Sequence, residues 1–76
     1  VAGHVAEAVK QIETLLAAQP AHAEAHINLA TARVERGDTV AAISAYERYL
    51  QLHLAEDATR QRVQTEIRRL RRAGPE

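Results

Sequence analysis

Residues 23–56, AEAHINLATARVERGDTVAAISAYERYLQLHLAE, decide the fold of this chain. Their apolar side chains recur at steps of three and four residues, which is the spacing of one face of an α-helix. Gly37 interrupts the pattern, and glycine commonly closes a helix in the left-handed conformation. Asp38 follows it, where an aspartate is suited to cap the next helix. The stretch therefore predicts two helices, at about 23–36 and 39–53, joined by a short turn.

The segments on both sides predict two further helices. Apolar residues fall at helical spacing from Val5 to Ala18, and Pro20 ends that pattern. A fourth helix is expected to begin near Asp57, and its narrow apolar line consists of Val63, Ile67 and Leu70. No segment alternates apolar and polar residues with period two, so strands are not expected. We therefore expect an all-α chain of about four helices.

The first and third predicted helices repeat each other. A shift of 34 residues places Gly3 on Gly37, and it pairs Ala8, Val9, Glu13 and Leu16 with Ala42, Ile43, Glu47 and Leu50. A period of about 34 residues formed by pairs of helices is typical of helical solenoids, in which antiparallel helices stack side by side. The first helix is thus expected to be the same structural element as the third.

Residues 23–56 resemble one complete tetratricopeptide repeat. The resemblance rests on the places of the Leu-Gly pair, the turn between the helices and the small and aromatic residues of the helix crossing, which here are Leu29-Ala30, Gly37-Asp38 and Ala42 with Tyr46. Residues 1–22 resemble the second half of a preceding repeat, residues 57–73 resemble a capping helix, and residues 74–76 form a tail. The resemblance implies a single domain, a right-handed solenoid fragment of antiparallel helices, cut from a longer protein.

The same resemblance implies a module that binds a peptide or a partner protein in a concave groove. In this family a second stripe on the first helix of a repeat lines that groove, and an Asn beside it often hydrogen-bonds the peptide backbone. An amide can donate and accept at once, which suits a peptide group. Some members also hold a terminal carboxylate with a basic residue at the place of Arg62, although the other residues of that clamp are absent here. The expected contacts are Asn28, Ile27, Thr31, Val34 and Arg62. The alternative is that Ile27 and Val34 pack against a neighbouring repeat.

The first helix has apolar residues on more than one side. Ala8, Ile12 and Leu15 are expected to face the complete repeat, while Val5, Val9 and Leu16 are expected to reach toward a preceding helix. An uncovered apolar face marks an interaction surface or a missing neighbour. We therefore predict self-association through Val5, Val9 and Leu16, most simply as a two-fold homodimer that Val9→Glu would disrupt without unfolding the other helices.

Charge argues against a dedicated nucleic-acid binder, because ten basic and ten acidic residues give no net charge. The fourth helix contains six arginines and only two acidic residues, Asp57 and Glu66. The arginines are Arg60, Arg62, Arg68, Arg69, Arg71 and Arg72. Nucleic-acid binding by this helix is therefore one alternative function, but no aromatic residues are interleaved for base stacking. A solvated polar face is the favoured interpretation. A structural cap or dimerisation segment without a peptide ligand is the other alternative.

The sequence lacks the residues that several other classes of function need. The chain has no cysteine, and His22 and His26 lack a third ligand, so no metal or other cofactor is expected. Ser44 is the only serine and no glycine-rich loop precedes a helix, so the chain is not expected to be an enzyme. No apolar run approaches about 18 residues, the length that spans a membrane.

Overall fold

The structure, a computed structural model, describes the backbone of residues 2–73 and the side chains of residues 4–73. It contains four helices: α1 (Ala2–Ala18), α2 (Ala23–Glu35), α3 (Thr39–Leu52) and α4 (Ala58–Arg72). Residues 2–73 contain no strand, and the predicted all-α fold is confirmed. The expected tail at residues 74–76 lies outside the described residues.

Gly37 closes α2 as predicted, but Asp38 does not cap α3 with its side chain. Gly37 has a φ of 82°, the left-handed conformation that glycine adopts without steric cost. The Gly37 N–H donates to the Val34 carbonyl and the Asp38 N–H donates to the Arg33 carbonyl, at 3.0 and 2.9 Å. This pair of bonds is a Schellman motif, which satisfies the last carbonyls of a helix. Asp38 occupies the N-cap position of α3 without a side-chain cap bond, so that part of the prediction is wrong.

The start of α2 has a cap that the sequence did not indicate. His22 occupies the N-cap position, and its Nδ1 accepts a hydrogen bond from the Ala25 N–H at 3.1 Å. His26, one turn into the helix, donates from Nε2 to the Pro20 carbonyl at 3.0 Å. The two histidines therefore hold the α1–α2 turn.

Each helix packs on the next one along the chain, and small residues set the spacing. Ala30 of α2 and Ala42 of α3 are completely buried, which lets the two helices approach closely. α1 packs on α2, and α4 packs on α3 through the predicted line of Val63, Ile67 and Leu70. One continuous core results, and its largest members are Tyr46 and Tyr49 of α3.

Enlarging Ala42 is expected to push α2 and α3 apart. Because Ala42 is 0% exposed, Ala42→Leu should lower the free energy of unfolding by about 1–3 kcal/mol, the usual cost of forcing extra methylenes into a packed core. Urea titration followed by circular dichroism measures this change. Ala17→Leu, at an exposed position of α1, is the control and should change stability little. Equal midpoints for the two variants would contradict the close crossing at Ala42.

Candidate peptide-binding groove

A groove runs between α2 and α4, with α3 beneath it. In the part of the chain that the structure describes, both helices pack against α3 and lie apart from each other. Two clefts of about 290 and 390 Å³ fill the space between them, and Ile27 and Arg62 line both. We therefore treat the two clefts as one surface, the α2–α4 groove. Its other lining residues are Thr31, Tyr46, Val63 and Glu66 in the smaller cleft and Ala23, Glu24, Asn28, Tyr49, His53, Asp57 and Thr59 in the larger one.

Four of the five expected peptide contacts line this groove. Asn28 and Arg62 are exposed, and their side chains have no hydrogen-bond partner among residues 4–73. The Thr31 hydroxyl donates to the Ile27 carbonyl at 3.1 Å, so its oxygen is left mainly as an acceptor. Val34 lines neither cleft, because its half-buried side chain packs against the core.

The larger cleft also contains a hydrogen-bonded pair of side chains that the sequence pattern did not indicate. His53 donates from Nε2 to the Asp57 carboxylate at 2.7 Å, and its ring stacks on Tyr49 with 5.1 Å between ring centroids. Burial raises the pKa of the Tyr49 phenol, and the nearby Asp57 carboxylate raises it further. The phenol therefore stays neutral at this end of the groove.

Asp57 also caps α4. Its Oδ1 accepts a hydrogen bond from the Arg60 N–H at 2.9 Å, while its Oδ2 accepts the bond from His53. The bond from the Arg60 backbone, followed by the bond from the His53 side chain, lowers the pKa of this carboxyl below its ordinary value. One carboxylate thus joins the start of α4 to the end of α3.

Arg60 of α4 also holds the start of α4 to the end of α3. Its Nη1 donates to the carbonyls of Leu50 and His53, at 3.1 and 2.6 Å, in the last turn of α3. Its Nε lies 3.3 Å from the Glu56 carboxylate. Arg60 is therefore a largely buried structural residue, which corrects its expected place among the solvated arginines of α4.

The order and pairing of these helices agree with the sequence pattern of one known family. The sequence model of the tetratricopeptide repeat family matches residues 1–60. This chain belongs to the tetratricopeptide repeat family. Searches among curated proteins and among solved structures each gave no significant match. Tetratricopeptide repeats generally mediate protein–protein interaction or scaffolding, and the family is typically non-enzymatic.

In this tetratricopeptide repeat chain the first helix is rotated relative to the sequence expectation. Val9 is buried in the core, and Val5, Ile12 and Leu16 are half-buried against it. These four residues follow steps of four, three and four, so they form one helical stripe facing α2. The expectation that Val9 lies on an uncovered face is wrong. The stripe that contains Val5, Val9 and Leu16 buries more apolar area against α2 than a stripe centred on the small Ala8 would bury. Self-association remains a prediction, but the stripe assigned to it contacts α2.

An ion pair at the edge of this stripe favours the observed rotation of α1. The Glu13 carboxylate lies 3.0 Å from the Arg33 guanidinium of α2. Glu13 is four residues after Val9 and three before Leu16, so it stands on the same side of α1. Glu13 is exposed and Arg33 is half-buried, so the pair contributes modestly to stability. It nevertheless places opposite charges next to each other when α1 packs on α2 with this face.

The arginines of α4 are partly neutralised by neighbours. Arg69 pairs with Glu66 on the same helix, and Arg71 pairs with Glu47 of α3. The bonds from Arg69 lower the pKa of the Glu66 carboxyl. The excess of positive charge is therefore smaller than the sequence count indicates, and it concentrates on the arginines without a carboxylate neighbour.

Two further structural findings concern metals and membranes. Within the described residues, no group of three or more His, Asp or Glu side chains is placed to hold a metal ion. A search of the same residues found no helix with both the length and the apolar character of a membrane span.

Acidification is expected to weaken the start of α4 through Asp57. Because folding lowers the pKa of this carboxyl, its contribution to stability is complete above about pH 5 and is lost as the pH falls through the folded value. Asp57→Asn keeps a capping oxygen but cannot ionise. We expect the thermal midpoint of this variant to fall less steeply with acid than that of the unmodified chain, as followed by circular dichroism in steps below pH 5.

Asp38→Asn is the matched control for this prediction. Asp38 also stands at an N-cap position, but its side chain makes no cap bond. The control should keep the pH dependence of the unmodified chain. If both variants gave the same pH profile, the proposed contribution of Asp57 would be wrong.

Proposed function

We propose that this chain is a protein-interaction module that binds an extended peptide segment of a partner protein along the α2–α4 groove. The observation that supports the proposal is the convergence of Ile27, Asn28 and Thr31 from α2 with Arg62 from α4 on one surface. Arg62 follows the three α2 residues by more than 30 positions in the sequence, yet all four line one groove over the buried tyrosines of α3.

The groove offers three kinds of contact to an extended segment. The half-buried Ile27 supplies apolar surface for a ligand side chain. The exposed Asn28 amide can donate to one peptide group and accept from another. Arg62, which has no ion pair within the described residues, supplies a cation for a carboxylate, and its planar fork suits a bidentate bond.

We further propose that the chain divides into a half repeat at residues 1–22, a complete repeat at 23–56 and a capping helix at 57–73. The polar outer side of α4 supports the last part, because the ends of helical arrays normally carry a polar face. α4 then has two functions: it covers the core of α3, and it forms the second wall of the groove.

Asn28→Ala should weaken peptide binding without changing the fold. A peptide selected from a displayed library of random 12-residue sequences serves as the probe, and its affinity is measured by isothermal titration calorimetry. The loss should be about 1–3 kcal/mol, because a peptide group that binds in the groove is left unpaired. Gln11→Ala, an exposed amide on α1, is the control.

The selected peptide should also shift the amide resonances of Ile27, Asn28 and Thr31 in an NMR titration. If the shifts mapped to another face, or if Asn28→Ala bound as tightly as Gln11→Ala, the groove would not be the binding site. Equal affinities for the unmodified chain and both variants, together with silent groove resonances, would overturn the proposal.

A further inference from the structure

α4 has a second cleft on the flank opposite the α2–α4 groove. This outer cleft of about 280 Å³ lies between α3 and α4 and is lined by Glu47, Leu50, Gln64, Ile67, Arg68 and Arg71. At about 100° per residue, the positions of Gln64, Arg68 and Arg71 fall on one side of the buried line of α4, and Arg62 and Glu66 fall on the other. The two surfaces are therefore separate, although both use α4 as a wall.

The outer cleft combines apolar surface with positive charge. The half-buried Leu50 supplies apolar surface, together with the edge of the buried Ile67. Gln64 adds a half-buried amide to the lining. Arg71 reaches across the cleft to pair with Glu47.

The second arginine of the cleft has no acidic neighbour. Arg68 hydrogen-bonds only the Thr65 hydroxyl, at 3.2 Å, and has no carboxylate partner within residues 4–73. Two arginines, Arg68 and Arg71, therefore face a single carboxylate, Glu47, and the lining of the cleft carries an excess positive charge.

We propose that the outer cleft binds an acidic amphipathic helix of a partner protein. The apolar side of such a helix would cover Leu50 and the edge of Ile67, which removes apolar surface from water. A carboxylate on its flank would bind Arg68, and a guanidinium with five donors can hold a further carboxylate at Arg71 without losing Glu47. The partner is recognised by charge complementarity, because an uncharged or basic helix would leave the excess positive charge unmatched.

A folded acidic segment fits this cleft better than a nucleic acid does. The apolar surface at Leu50 has no counterpart in a phosphate backbone, and Glu47 at the rim would repel one. Tyr46 and Tyr49, the two aromatic residues of the sequence, are buried in the core, so they offer no exposed ring for base stacking.

A designed 18-residue helical peptide tests the proposal. It has leucine at positions i, i+3, i+4 and i+7 and glutamate on both flanks, and its binding is measured by fluorescence anisotropy at low and high salt. We expect binding that weakens as salt rises, because the charges on the rim are exposed and screened. Arg68→Glu should weaken binding about tenfold or more, because it replaces an attraction by a repulsion at the same place.

Matched variants and probes separate this cleft from other sites. Arg36→Glu makes the same change of charge at an exposed arginine in the α2–α3 turn and should leave the affinity within about twofold, because its distance and exposure screen its charge. A peptide with lysine in place of glutamate should not bind. Asn28→Ala should not affect the designed peptide, so that failure here is distinguishable from failure of the groove proposal.

The proposal is overturned by any of three results. One is no binding of the leucine–glutamate peptide, and another is an equal loss of affinity for Arg68→Glu and Arg36→Glu, which would show an unspecific effect of net charge. The third is tighter binding of single-stranded oligothymidine of similar length than of the peptide, which would make the arginines a nucleic-acid surface. Amide shifts at Gln64 and Arg68 on addition of the peptide would support the proposal.

Discussion

Tyr46→Ala is expected to abolish most of the cooperative folding of this chain. Tyr46 is only 7% exposed. Its side chain lies in the core beneath the α2–α4 groove, where it lines the smaller cleft together with Val63 of α4. Emptying a buried aromatic site costs about 3–5 kcal/mol. A single small domain of this size has a total stability of roughly 3–5 kcal/mol, so the variant should be largely unfolded at 25 °C. Thermal and urea unfolding followed by circular dichroism measure this loss.

Leu54→Ala is the control for this experiment, because it also removes a large apolar side chain but at a position that is 74% exposed. It should unfold at nearly the same urea concentration as the unmodified chain. A Tyr46→Ala variant with an unchanged midpoint would mean that α3 does not pack between α2 and α4 as described.

Val9→Glu is expected to destabilise the packing of α1 on α2. Val9 is 6% exposed within the stripe that faces α2. The variant loses roughly 1.5 kcal/mol of apolar burial and buries an unpaired polar group, which costs about 1–3 kcal/mol more. Hydrogen exchange by NMR should show early loss of protection along α1, together with a lower urea midpoint for the chain.

The same substitution at Val40 separates burial from charge. Val40 is 71% exposed at the start of α3, so Val40→Glu should be tolerated. A Val9→Glu chain that kept the stability of the unmodified protein but changed its sedimentation would contradict the observed rotation of α1. Such a result would restore the prediction that Val9 takes part in self-association.

The helices and their family were readable from the sequence because their signals are local. The steps of three and four residues, Pro20 and Gly37 each act over one or two turns of chain, and the structure places four helices where these signals predict them. The 34-residue shift made the repeat visible, and the family match over residues 1–60 agrees with it. The residues on the second stripe of α2 could be named as groove residues only through the resemblance.

Capping showed where local patterns fail. Asp38 and Asp57 both precede a helix, yet only Asp57 uses its side chain as a cap. At Asp38 the glycine turn before it already directs the backbone into the next helix, and at Asp57 the carboxylate also meets His53 from the preceding helix. His22 acts as a cap although histidine is a rare choice for this position. Composition alone could not decide any of these three cases.

The sequence by itself determined which segments are helical, where the chain turns and which repeat family it belongs to, because hydrophobic period and turn chemistry are properties of neighbouring residues. Tertiary structure alone decided the rotation of α1, the burial of Arg60 and the exclusion of Val34 from the groove. A helix with two apolar sides can bury either one, and the choice depends on the shape and charge of α2, including the Glu13–Arg33 pair. Likewise, an arginine is solvated or buried according to whether unpaired carbonyls lie within its reach, and the end of α3 supplies them to Arg60 alone among the arginines of α4 within the described residues.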